Sequence, residues 1–539
     1  MPVIKSCACV ILALKKNVAF PDDLVRRLNG QLLIEYTLKL TDSAVGRDNC
    51  WIVTDSEEIK VFCLRKKFKV YYDPALSLDK PKSFSKVSSN LEGISSTKAV
   101  CLLWPYTPTL CLTDLQNAIQ QHLRRRSSYT ISVKNEKRNE FISYGRDWNC
   151  ANNPDDSLSY KRIRGFLITS SKNLFLNPSG KRFTPFVVTD ETHEIKGFSD
   201  WWVCEGLLKR KRIVFRIIGN PEIGMGHIYR ALTLAHEIND HEIIFLCTEE
   251  EKLAVNKITG KEYKVEPVHT DALLKRIREL KPALVVNDCL DTSSKYVSAL
   301  AKSNIKTLNF EDFGTGSKHA DIVINELFDV PLSKGKNIRW GKNFMFLREE
   351  FFSSQPNQWK KSVDRILVTF GGSDPQNLTL RILNKILPWC REKSLTVRVV
   401  VGTGYQHLEA LNPIITKFSD IVSFTNSTGV ISDLMENCQV AICGNGRTVY
   451  ELSHMRIPAI VISHHERELS HKFACAKNGF IRMGTLDKEN SLNNLFRHFK
   501  KLCINDDFRK NLWEKSSRHD FINNKQKVLK LIYNLIQKS

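Results

Sequence analysis

The residues with the clearest capacity for chemistry lie in Gly224-Met-Gly-His227, between the β-branched run Ile213 to Ile218 and a segment whose apolar residues Ile228, Leu232, Leu234, Ala235 and Ile238 recur at helical spacing. The pattern reads as strand, glycine-rich loop, helix. Glycines at such a turn let backbone approach a bound group, and the helix start offers unpaired N–H groups and a positive dipole end to an anion such as a diphosphate. His227 thus places an imidazole beside that anion, and an imidazole with an ordinary pKa near 6.5 accepts a proton at neutral pH. The plainer alternatives are a glycine-rich βα turn and a histidine that caps a helix.

Two later loops carry matching chemistry. Phe370-Gly371-Gly372-Ser373-Asp374-Pro375 follows the strand pattern Arg365 to Thr369, with Ser373 or Asp374 available as a helix cap and Pro375 at the first helical position. Cys443-Gly444-Asn445-Gly446-Arg-Thr448-Val-Tyr-Glu451 follows a strand pattern at Gln439 to Cys443. A third cluster, His464-His-Glu466-Arg-Glu468-Leu-Ser-His471, follows the strand Pro458 to Ser463. Polar clusters also close the strand patterns ending at Asp288 and Asp291, and at Glu311 and Asp312. Ligands of doubly wound sheets gather beyond the C-terminal strand ends, which makes all of these candidates for one crevice; each could equally be a cap or a solvated loop.

The elements that must position these residues alternate strand and helix along the chain. The 539 residues exceed one ordinary core. A buried-strand pattern at Ser6 to Leu14 and further strand-and-helix signals at Cys50 to Ile59, Ala99 to Ile119 and Tyr129 to Val133 argue a parallel α/β sheet ahead of the glycine loops. Trp201-Trp202 is expected to close the core of that part. Gly341 to Phe352 with the polar Ser353 to Lys361 reads as a crossing segment and linker, and beyond Asn490 the sequence is helical and basic, a packed tail with a solvated face.

Composition narrows the class: 42% hydrophobic and 26% charged residues describe a globular chain. No run of 18 apolar residues and no N-terminal apolar core region occur, so neither a membrane span nor a signal peptide is expected, and a cytoplasmic location is. Fifteen cysteines without CxxC pairs read as reduced, buried thiols. The net charge of +22 fits anionic partners. Its basic clusters, Arg124 to Arg126 and Lys209 to Arg212, are short and lack interleaved aromatics, so nucleic acid is not expected as a partner. Oligomerisation stays open.

Taken in order, Gly-x-Gly-His-x-x-Arg (224–230), Asn-Asp-x-Leu-Asp-Thr (287–292), Phe-Gly-Gly-Ser-Asp-Pro (370–375), Gly-Asn-Gly-x-Thr-x-x-Glu (444–451) and Glu-Arg-Glu-x-x-His (466–471) resemble the UDP-sugar hydrolases of pseudaminic acid biosynthesis and the spore-coat polysaccharide proteins. Both are distant cousins of the lipid II-forming GlcNAc transferase, and the resemblance spans about residues 211 to 500. It implies hydrolysis of a UDP-linked 2,4-diacetamido-2,4,6-trideoxy hexose without a cofactor. His227 is then the general base, Asn445 holds sugar or water, and Gly371 to Asp374 with Gly444, Gly446 and Thr448 cradles the diphosphate. Glu451 takes the ribose hydroxyls and Glu466, Glu468 and His471 line the sugar pocket. Gly224, Gly226, Arg230 and Asp288 complete the substrate-binding set. The hydrolases carry a tyrosine just after the aspartate of the second strand, where this chain has Cys289 and Leu290.

Residues 5 to 205 resemble the cytidylyltransferases that activate sialic acid and related nonulosonates. The match rests on Leu-Asn29-Gly30-x-x-Leu-Ile, Val-Thr-Asp55-Ser-Glu-Glu-Ile and Leu-Leu-Trp-Pro105-Tyr-Thr-Pro108. It implies CTP and a nonulosonic acid as substrates and Mg²⁺ if the domain is active, with Lys15, Lys16, Asn17, Asn29, Gly30 and Asp55 as nucleotide contacts. The family's first loop falls on Leu12 to Leu24, where its key arginine, serine, lysines and asparagine become Leu14, Asn17, Val18, Asp23 and Leu24. Its closing Asp-Ile-Asp-Thr-x-x-Asp corresponds to Glu194-Ile-Lys196-Gly-Phe-Ser-Asp200, with a lysine where a second metal ligand belongs, so the domain is expected to be variant or inactive.

The expected fold class is therefore α/β with three Rossmann-like units: a nucleotidyltransferase-like domain (1–208), then a GT-B-like module of two domains, 209–352 and a UDP-binding 362–539. The expected function is a nucleotide-sugar enzyme of nonulosonic acid biosynthesis. The alternatives are a glycosyltransferase that uses a UDP-sugar donor and a sugar-nucleotide binding protein without catalysis.

Overall fold

The computed structural model describes residues 2–15, 22–76, 87–125, 127–136, 141–144, 147–150, 159–175, 183–220, 222–486 and 489–539. The chain forms two compact units, residues 1–210 and 211–539.

In the first unit a seven-stranded sheet has the order Phe183–Val187, Tyr129–Glu136, Ser159–Thr169, Ala99–Leu103, Cys7–Leu12, Cys50–Thr54, Lys69–Tyr72. All pairings are parallel except those of Ser159–Thr169, which runs antiparallel to both neighbours. The sheet is therefore mixed, which corrects the expectation of a parallel one. Helical crossovers such as Leu33–Val45 and Leu112–Arg125 allow the parallel strands; a strand that returns without one pairs antiparallel. Cys7–Leu12 and Ala99–Leu103 are buried along their whole length, as central strands covered on both faces must be. Trp201 packs against this core, whereas Trp202 is 66% exposed, so only the first of the pair seals it.

The second unit has two lobes. The sheet of the first orders seven parallel strands as Val265–Val268, Glu242–Thr248, Arg212–Ile217, Leu284–Asp288, Lys306–Phe310, Ile322–Asn325, Ile338–Trp340. That of the second orders six as Val422–Asn426, Thr396–Val401, Arg365–Thr369, Val440–Gly444, Ala459–Ile462, Phe480–Gly484. In chain order each begins 3-2-1-4-5-6, the doubly wound order, whose direction reverses between strands 1 and 4. At those two places lie the glycine loops: after Arg212–Ile217 beside Leu284–Asp288, and after Arg365–Thr369 beside Val440–Gly444. The α/β, GT-B-like class read from the sequence describes this unit.

The segment between the lobes is shared residue by residue. Phe344 and Phe346 pack into the first core, while Met345, Leu347 and Phe351 pack into the second. The tail is not a simple extension of the second lobe. Phe521 still belongs to the second core, but Val528, Leu529, Ile532, Leu535 and Ile536 of the helix Asn524–Gln537 are buried in the first. Lys525 fixes that return by donating to Glu237 at 2.5 Å and Glu349 at 2.7 Å.

Candidate functional site in the cleft of the second unit

Gly224 has φ +87°, a conformation open to glycine and strained for other residues. It turns the chain into the helix Gly226–Glu237, so that His227 sits in the first helical turn. Leu284–Asp288 runs alongside and ends with Asp288 behind the imidazole: His227 Nδ1 is 2.5 Å from Asp288 Oδ1. Arg230, one turn along the helix, donates from Nε to Asp288 Oδ2 at 2.7 Å and from Nη2 to Oδ1 at 2.5 Å. Asp288 is wholly buried, which alone would raise its carboxyl; Arg230 and then His227 outweigh that and hold it well below the usual carboxylate range. An ionised carboxylate only accepts, so Nδ1 carries the imidazole proton and Nε2 is left as the basic nitrogen. Arg230 Nη2 also stands 3.2 Å from Nδ1; both groups are donors in this tautomer, so the contact is not a hydrogen bond, and the shorter carboxylate contact decides the assignment.

Arg230 also meets two further carboxylates, Glu326 and Glu311. Its Nη1 donates to Glu326 Oε1 at 2.9 Å and lies 3.7 Å from Glu311 Oε1. Burial pushes the Glu311 carboxyl up to about 7, partly opposed by Arg230. Arg447 of the second lobe reaches the same Glu326 Oε1 and donates from Nη2 to Phe346 O at 2.6 Å.

His227 faces a cavity of about 450 Å³ between the two lobes, within the range of sites that enclose small molecules. Gly224 and Gly226 line it from the first lobe; Gly371, Gly372, Ser373, Gly444, Gly446, Thr448 and Glu451 line it from the second, with Glu468 and His471. These expected residues are brought together. The approach of the lobes depends on a missing side chain, since a Cβ on Gly372 would lie 2.5 Å from Met225 Cγ; within the second lobe one on Gly402 would lie 2.5 Å from Gly372 Cα. Burial raises the Glu451 carboxyl, opposed first by Arg348, whose Nη2 is 3.6 Å away. Glu468 is pushed up to about 7 by burial while it accepts from His464 N at 2.7 Å. His471 is pushed down to about 4 by burial and donates from Nδ1 to Asn445 O at 2.7 Å.

Several expected contacts are placed elsewhere. Asn445 does not line the cavity; its Nδ2 donates to Glu468 O at 2.7 Å, Ser463 Oγ at 3.2 Å and His471 O at 3.3 Å, so it ties the third loop to the second. Asp374 is buried and accepts from Leu378 N at 2.9 Å and Thr379 N at 2.8 Å. It therefore caps the helix Leu378–Glu392 instead of meeting a phosphate, and Pro375 precedes that helix rather than opening it. Arg230 and Asp288 are likewise behind the cavity, not in it. Glu466 is exposed and outside the lining. Arg348, Arg447 and Arg467, which supply the cavity with positive charge, were not read as site residues. Arg447 stands inside a recognised loop and was the legible one: a cation among glycines that face an anion.

In the first unit Asn29 and Gly30, with φ +47° and +83°, form the turn of the hairpin Arg27–Leu28 and Gln31–Leu32. Asn-Gly is the favoured pair for such a turn, which accounts for these residues without a nucleotide. Asp55 Oδ1 accepts from Lys15 N at 2.7 Å, and Lys15 Nζ is 3.6 Å from Asp22. Lys16 and Asn17 lie outside the described residues. At the stretch corresponding to the magnesium aspartates, Glu194 takes Arg164 Nε at 2.5 Å and has Lys196 Nζ at 3.8 Å, and Asp200 takes His193 Nε2 at 2.8 Å. These carboxylates are already paired with basic side chains of the chain itself, and the set does not fit a divalent ion. Among the described residues no group of three or more His, Cys, Asp or Glu is placed to hold a metal, and no helix is long and apolar enough to cross a membrane.

No protein-family model matches the chain. Among curated proteins, the protein MJ1062 of Methanocaldococcus jannaschii is 29% identical over 267 residues, 46% of this chain and 54% of its own length. The present chain thus spans about half of that relative. The spore coat polysaccharide biosynthesis protein SpsG of Bacillus subtilis is 26% identical over 281 residues, 50% of this chain and 81% of its own. The UDP-2,4-diacetamido-2,4,6-trideoxy-beta-L-altropyranose hydrolase of Campylobacter jejuni is 23% identical over 239 residues, 43% of this chain and 84% of its own.

Proposed function

We propose that residues 211–539 form a nucleotide-sugar enzyme of nonulosonic acid biosynthesis that hydrolyses a UDP-linked diacetamido-trideoxy sugar. The carrying observation is the His227–Asp288 pair at the edge of a cleft walled by glycine loops from both lobes. The similarity to the Campylobacter hydrolase and to SpsG supports the substrate class.

His227 Nε2 takes a proton from water as its oxygen attacks the anomeric carbon. The bond from that carbon to the β-phosphate oxygen breaks, and UDP leaves with the electron pair. Asp288 holds the imidazole in the basic tautomer and stabilises the imidazolium that forms; such proton transfer contributes about 10² to 10⁴-fold. Arg447 and Arg348, with the loops Gly371–Ser373 and Gly444–Thr448, offset the charge gathering on the leaving diphosphate. Incubation with UDP-sugars, with and without an alcohol acceptor, tests this reading. UDP release in water alone supports hydrolysis; release only with acceptor supports transfer, and none with His227 intact defeats both. Transfer is the second reading because Cys289 and Leu290 follow Asp288, and Leu290 lines the cavity where an acceptor would sit.

For the first unit the reading is a cytidylyltransferase-like domain without activity, carried by the paired state of Glu194 and Asp200. CTP, Mg²⁺ and a series of nonulosonic acids should then yield no pyrophosphate. Release with any one of them overturns it.

A further inference from the structure

The ion pair between Arg447 and Glu326 crosses the cleft, and its consequence reaches the catalytic centre. From the second lobe inward, the contacts run Arg447 to Glu326, Glu326 to Arg230 (2.9 Å), Arg230 to Asp288 (2.5 and 2.7 Å), and Asp288 to His227 (2.5 Å). Glu326 and Asp288 have no exposed surface and Arg230 is 2% exposed, so water does not screen the inner members. Within this string two carboxylates face two guanidiniums, a balance reached only when Arg447 is in place and the imidazole is neutral. Withdrawing Arg447 leaves the buried group one negative charge in excess, and the basic nitrogen of His227 is where a compensating proton can bind.

We infer that Glu326 is a positioning residue that couples lobe closure to the base: Arg447 docking on Glu326 keeps His227 unprotonated, and separation of the lobes protonates it. The inference rests on the proposed role of His227. Other ionisable groups do not upset the balance. Among the described residues Glu311, 3.7 Å from Arg230, is the one further carboxyl in contact with the string, and it competes for the same proton. Of the charges lining the cavity, Glu451 shares Arg348 with Glu350, at 3.6 and 2.5 Å, and Arg467 donates to Glu311 O at 2.6 Å and lies 3.4 Å from Asp291. Glu222 and Glu468 sit on loops of opposite lobes, and His464, His465 and His471 are each held toward the neutral form by burial. The device lets an open, water-filled cleft carry no active base, so the base is formed only as the lobes close.

The test is the titration of the His227 ring followed by NMR in the UDP-saturated full chain with histidine labelled at Cε1, the signal being assigned with His227→Gln. Glu326→Gln keeps the acceptor oxygen and the volume but removes the negative charge, and Arg447→Met removes the positive one. The inference expects the midpoint to fall in Glu326→Gln and to rise in Arg447→Met, each by about half to one pH unit for a unit charge under partial screening. The same experiments in a Glu311→Gln background exclude the competing carboxyl. Equal shifts in one direction, or none, overturn the inference, because a merely loosened site does not separate the two signs. If His227→Gln retains full UDP release while the opposed shifts are observed, the coupling stands and the assignment of the base fails.

Discussion

Asp288 and His227 meet edge to edge at 2.5 Å, with the carboxylate wholly buried and the ring open to the cleft on its other side. The carboxylate therefore acts on the substrate only through the ring.

This placement separates two kinetic quantities. Asp288→Asn keeps the shape but no longer enforces the basic tautomer, and kcat for UDP release is expected to fall about 10² to 10⁴-fold. KM and the calorimetric affinity for UDP should change little, since Asp288 touches no ligand surface. A large loss of UDP affinity would place the aspartate in binding instead.

Gly402→Ala tests the approach of the two glycine strands in the second lobe. A Cβ there would meet Gly372 Cα at 2.5 Å and its carbonyl oxygen at 2.6 Å, and backbone cannot rotate away. The Gly371–Ser373 loop has to move, at a cost of about 1 to 3 kcal/mol. The expected outcome is a lower Tm and a raised KM for the nucleotide sugar with kcat less affected; an unchanged KM would detach this loop from phosphate binding.

Glu311 gives stability a specific pH dependence. Burial raises its folded value to about 7 from an ordinary 4.5, with Arg230 opposing. The folded state thus binds the extra proton, its stabilising effect is complete below pH about 4.5, and it is lost as pH rises through about 7. Glu311→Gln should flatten the denaturant-derived stability across that window, by at most about 3 kcal/mol. A variant whose curve parallels the parent's would show that Glu311 ionises as an ordinary glutamate.

Asn445→Ala distinguishes a loop tie from a substrate contact. Three acceptors, including Glu468 O at 2.7 Å, lose their donor, which should lower stability by about 1 to 3 kcal/mol. Bound UDP should recover part of the loss in thermal melts. Unaltered melting with abolished turnover would instead return Asn445 to the reacting atoms.

Legibility followed chain distance. The glycine loops, His227 and the strand ends were readable because each is a local pattern of strand, turn and helix. Asn445 and Asp374 misled because an amide or carboxylate in a loop can serve ligand or backbone equally, and only the fold decides which donors and acceptors come near. Glu326 was invisible for a different reason. It follows the strand Ile322–Asn325 as one acid among many, and its importance comes from two arginines 96 positions before it and 121 positions after it. The antiparallel Ser159–Thr169 was missed because its first half is rich in exposed cations and lacks the apolar run of a buried strand. The return of Asn524–Gln537 to the first lobe was missed because its apolar stripe states that a core is covered, not whose.

That returning helix also orders events during synthesis. The second lobe's strands leave the ribosome before Val528, Leu529 and Ile532 exist to cap the hydrophobic surface of the first. Through that interval the earlier-made lobe carries an uncovered apolar patch, and its maturation waits on a segment encoded after its neighbour.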